Sequence, residues 1–101
     1  DGWLPISDDP AVYLPEIARL RVALAARSRD PATFAFRARL RCVRNAAGLP
    51  DLAATLRQAS ELCAAGLTEA ELYLVEFLAS ESPAELDELL GRCAPLLAAL
   101  R

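Results

Sequence analysis

Apolar and polar positions recur along most of this chain with the three-to-four-residue period of an amphipathic helix. From Asp9 onward strong helix formers dominate and no β-branched alternation of strand length stands out, so the pattern predicts an all-α domain. Helix starts are marked by side chains that accept hydrogen bonds from the first free backbone N–H groups, each followed by a proline whose missing N–H costs nothing there. Asp9-Pro10, Asp30-Pro31 and Ser82-Pro83 have this form. Thr68 with Glu71 and Ser82 with Glu85 add the reciprocal capping-box spacing, and Leu67 is placed to staple onto Leu72. The predicted helices cover residues 10 or 15 to 27, 31–47, 50–65, 69–79 and 83 towards 100. Gly91 and Pro95 should kink or divide the last one. Gly48 and Gly66 stand where C-terminal caps are expected.

Inward stripes follow from the spacing. Phe36, Leu40, Val43 and Ala47 share one helical face, and Leu52, Leu56, Ala59 and Cys63 share another. Residues 69–79 leave a narrow polar edge around Glu69 and Glu76, which predicts the most buried helix. Residues 1–9 read as an N-terminal arm whose Trp3 and Leu4 fold back on the single helical domain of residues 10–101. A shift of 34 residues superimposes Leu40 on Leu74, Val43 on Phe77, Leu52 on Leu86 and Leu56 on Leu90. That period is similar to the helical-hairpin spacing of tetratricopeptide and pentatricopeptide repeats, although the tetratricopeptide signature of Trp, Leu-Gly, Tyr, Ala and Phe is missing. The expected architecture is a compact bundle of five to six short antiparallel helices, with two stacked helical hairpins as the other arrangement.

A chain of 101 residues supports one core more readily than two. Its hydrophobic fraction of 54% is interrupted by charge too often for any run to reach the roughly 18 residues of a membrane span. The start, Asp1-Gly2-Trp3, lacks the basic and apolar regions of a signal peptide, and the missing initiator Met suggests a processed or partial chain. The cytoplasm is the expected compartment. Cys42, Cys63 and Cys93 are odd in number and widely spaced, which argues for buried small apolar residues and against a disulfide framework or metal motif.

Chemistry is sparse. The chain has no His, and all of its 11 basic residues are Arg, so the usual neutral-pH acid-base group and the lysine chemistries are missing. Neither a P-loop nor a G-x-G-x-x-G pattern occurs. The carboxylates of Glu69-x-Glu71 and Glu85-x-Asp87-Glu88 lie in predicted first turns, where acids favour the positive end of the helix dipole, so a metal or catalytic role is not needed to explain them. The expectation is a protein without enzymatic activity, cofactor or metal.

Charge is unevenly placed. Nine of the 11 arginines fall between Arg19 and Arg57, whereas Glu61 to Gly91 carries eight acids and no basic residue. Arg37, Arg41 and Arg44 follow i, i+4, i+7 spacing, which predicts a ridge on the second helix with Arg39 on another side. That ridge could pair with the acidic half, bind an acidic protein partner, or bind nucleic acid. The net charge of −3 argues against the last. The function expected is protein–protein interaction, as an adaptor or assembly domain of a larger protein or complex, contacting its partner through Arg37, Arg41 and Arg44. Two alternatives are a non-catalytic domain supporting an enzyme encoded elsewhere in the chain, and RNA binding by helical-hairpin repeats. Self-association through apolar surface is a further expectation.

Overall fold

A computed structural model describes residues 2–80 and 82–100. The order of elements is β1 (Gly2–Trp3), α1 (Pro10–Ala26), β2 (Ala35–Arg39), α2 (Leu52–Ala65), β3 (Glu69–Glu71) and α3 (Pro83–Ala98), with 3-10 turns at Pro31–Thr33 and Leu74–Phe77. The strands form one parallel sheet in the order β1-β2-β3. The fold is therefore mixed α/β, and the all-α bundle of five to six helices is overturned.

The expected helices at 31–47 and 69–79 do not form. Phe36, Ala38 and Leu40 alternate with Arg37, Arg39 and Arg41, a period of two that suits a strand with one buried face. Phe36, Ala38 and Leu40 are buried, whereas the arginines between them reach the other face. Residues 69–72 repeat the alternation with Glu69 and Glu71. These strands are built from Ala, Leu, Arg and Glu, which are helix formers by intrinsic preference; long-range pairing and burial override that weak preference. The 34-residue shift is not a structural repeat: the strand partners Gly2 and Ala35 lie 33 residues apart, and Arg37 and Glu69 lie 32 apart.

Helices α1 and α3 begin where their signals stand, and α2 begins at Leu52, two residues beyond the expected residue 50, behind a cap the sequence pattern had not singled out. The Asp9 carboxylate accepts the Ala11 N–H at 3.0 Å, Asp51 caps α2 by accepting from Ala54 N, and Ser82 accepts from Glu85 N. Asp30 accepts from Ala32 N but opens a 3-10 turn in place of a helix. Gly66 ends α2 at φ 137°, a conformation side chains resist, whereas Gly48 at φ 78° belongs to the turn beside Asn45. Helix α3 runs unbroken through Gly91 and Pro95. Thr68 does not cap a helix. Its hydroxyl accepts the Phe36 N–H at 2.7 Å, and its own N–H donates to Phe36 O at 2.9 Å, which fixes β3 beside β2.

One apolar cluster holds the molecule together. Tyr13 and Ile17 from α1, Leu52, Leu56 and Leu62 from α2, and Leu89 and Cys93 from α3 meet Phe36, Ala38 and Leu40 of the β2 strand and its extension. All three helices thus cover the same face of the sheet. Trp3 packs against this cluster while Leu4 is exposed, so the arm is itself the first strand. Gly2 permits the pairing, because a Cβ there would lie 2.9 Å from Ala35 O. Residues expected in the most buried helix are split between β3 and the following turn, where Tyr73 and Val75 are exposed. Of the cysteines, Cys93 is buried, Cys42 half-buried and Cys63 exposed.

Candidate interaction surface

The second face of the sheet carries charge. Arg37 and Glu69 are register partners, with Arg37 Nε 2.6 Å from a Glu69 carboxylate oxygen. Arg39 stands opposite Glu71 in the ladder, but its guanidinium turns to Asp8 at 3.2 Å and lies 4.3 Å from the centre of the Tyr73 ring. Arg41 donates to the same Asp8 carboxylate at 3.1 Å and lies 3.9 Å from Asp9. Asp8 follows β1, Arg39 ends β2, and Tyr73 follows β3, so one cluster gathers residues from the carboxyl ends of all three strands. The two guanidinium groups hold the Asp8 carboxyl below its ordinary range.

Arg37, Arg41 and Arg44 do not form a helical ridge. Arg37 and Arg41 share the open face of the strand with Arg39, which the helical reading had set apart. Arg44 lies beyond the strand, in a bridge to Pro50, and donates to Gly48 O at 3.0 Å. The acids at 69 and 71 are likewise not at a helix start; they share a strand face with the arginines. Among the described residues, no three His, Cys, Asp or Glu side chains gather as a metal-holding group. No helix among them is long and apolar enough to cross a membrane.

Comparison with known proteins gives no family: no family model, curated protein or solved structure matches the chain.

Behind the charged cluster lies Tyr13, 1% exposed, whose hydroxyl has no hydrogen-bond partner among the described residues. Burial pushes this phenol up, with the Asp8 charge adding to the effect. Burial likewise raises the Cys42 thiol, helped by Glu76. Neither group gains the ionised form that nucleophilic chemistry requires.

The helices at the two ends of the row have apolar outer faces. On α1 the exposed positions Val12, Ala18, Val22, Ala23 and Ala26 are interrupted by Arg19. On the second half of α3 the exposed Leu90, Ala94, Leu97 and Ala98 are interrupted by Arg92. Helix α2 lies between them: its Gly66 cap receives Arg21 of α1 at 2.7 Å, and α3 packs along its other side. A cleft of about 440 Å³ opens beside β1, lined by Trp3, Leu4, Ile6, Val12 and Tyr13. The sequence led to an expectation of self-association through apolar surface, but helical spacing alone does not tell which face of α1 or α3 is left without a neighbour.

Proposed function

We propose that this chain is an assembly module, without catalytic activity of its own, that joins further strand-helix units to complete one layered β/α structure. The observation that carries the reading is that, among the described residues, helices cover one face of the parallel sheet alone. Parallel sheets are otherwise covered on both faces, because each crossover lays a helix on them. Sequential parallel strands with every helix on one side form the wall of a β/α barrel, whose opposite face lines a packed interior. Here that face carries Arg37, Arg39, Arg41, Glu69 and Glu71.

Size supports the same reading. The accessible surface is 6638 Å², against about 5,600 Å² for a closed monomer of this mass. The excess of about 1,000 Å² is what one partner contributes to a specific interface. The radius of gyration is 15.6 Å where a closed domain of this length has about 13 Å. The outer edges of β1 and β3 carry no strand among the described residues, and both end helices offer apolar outer faces.

The adaptor role expected from the arginines is retained here with a different surface: the partner meets sheet edges and end helices, while Arg37 and Arg41 pair with acids and Arg44 donates to a backbone carbonyl. The test is binding of the dye 8-anilinonaphthalene sulfonate to the dilute, isolated chain under native conditions. An open module enhances dye fluorescence while still unfolding cooperatively; a native chain that leaves the dye dark is self-contained, and the proposal fails.

A further inference from the structure

The two ends of the module differ in shape and in charge. On α1 the outward stripe Ala11, Ala18, Val22 and Ala25 consists of small or slender side chains at helical spacing. On α3 the leucines Leu86, Leu90 and Leu97 flank the buried Cys93, with Leu90 and Leu97 each 48% exposed. Large side chains on one helix facing small ones on another let two helices approach to about 8–10 Å. Residues 10–29 hold four arginines against one glutamate, whereas residues 82–100 hold three acids against one arginine. The α3 end is therefore acidic, and the four arginines at the α1 end stand between its flanking acids Asp9 and Asp30.

We infer that the unit occupying these ends is a second copy of this chain, bound head to tail, with α3 of one copy against α1 of the next. The inference rests on the open-ended reading above and names its partner. Added this way, β1 of the second copy continues the parallel sheet past β3 of the first, and its Trp3 falls on the apolar side beside Ala70 and Leu72. Helix α1 of the second copy then stands beside α3, as α3 stands beside α2 within the chain. The contact joins two different surfaces, one on α1 and one on α3, so it is heterologous and propagates unless the array closes.

The heterologous arrangement has a specific test by sedimentation equilibrium. The wild-type average mass rises with concentration above the 10.9 kDa of one chain. Val22→Glu blocks the α1 end and Leu90→Glu blocks the α3 end, so each variant alone stays at one chain's mass. An equimolar mixture of the two retains one intact pair of ends and reaches twice that mass and no more. Matching circular dichroism spectra establish that the variants fold, and Ala23→Glu replaces Val22→Glu if they do not match. A wild type that remains a single chain at millimolar concentration, a variant that still associates alone, or a mixture that stays at one chain's mass each overturns the inference. A monomeric wild type that still binds the dye removes the second copy as occupant and leaves the module reading standing; failure of both removes the module as well.

Discussion

Thr55 and Val43 are joined by one hydrogen bond that secures the return from β2 into α2. The Thr55 hydroxyl accepts the Val43 N–H at 3.0 Å and donates to Asp51 O at 2.7 Å, and the side chain is fully buried. Replacing Thr55 by Val keeps the shape and strands the Val43 donor. The expected loss is about 1–3 kcal/mol in urea unfolding, whereas Thr55→Ser should retain most of the stability.

Asp8 binds the N-terminal strand to β2 through Arg39 and Arg41. Its carboxyl is held below the ordinary value of 3.8, so its contribution is present above that value and fades as pH falls through the folded-state value. Asp8→Asn should lower stability at pH 7 by about 0.5–1 kcal/mol, the range of partly exposed ion pairs. The gap between wild type and variant should close as the pH is taken to about 2, below the ordinary carboxyl range. A gap independent of pH contradicts the electrostatic account.

Tyr13 gives the opposite sign at the alkaline end. The buried phenol resists ionisation, so its contribution is intact below the ordinary value of 10.0 and is lost as pH rises beyond it. Tyr13→Phe removes a hydroxyl without a partner among the described residues and should leave stability at pH 7 unchanged or slightly higher. Above pH 10 the variant should outlast the wild type in thermal melts.

Gly66 closes α2 with φ 137°, and a Cβ there would meet Ile17 at an ordinary 3.5 Å. Backbone conformation is therefore the cost of Gly66→Ala, about 1–3 kcal/mol. At Gly48, with φ 78° and open space around it, the same change should cost less. Equal melting temperatures for the two variants would count against this ranking.

Helices α1 and α3 were legible from a capping side chain followed by an apolar period of three to four, and α2 from its period alone. The same two signals at Asp30-Pro31 and at Thr68 introduce a 3-10 turn and a strand, so together they do not suffice for a helix. The strands were not legible, because Phe36 to Arg41 alternates in residues whose local preference is helical. The spacing of Arg37 and Arg41 is ambiguous for a geometric reason. Residues four apart share a face in a helix and also in a strand, whereas seven apart share one only in a helix. Arg39 settles the question, since a period of two places it with Arg37 and Arg41. The open sheet face could not be read from spacing at all, because it depends on which side every crossover takes.

Amide hydrogen exchange of the dilute chain tests the central claim, an open-ended parallel sheet. Slow exchange should fall in this region on the amides of Phe36 to Leu40 and of Val43, with rapid exchange at the outward-facing amides of β1 and β3. Uniform protection through residues 31–47, as a helix would give, or slow exchange along both outer edges, would contradict it.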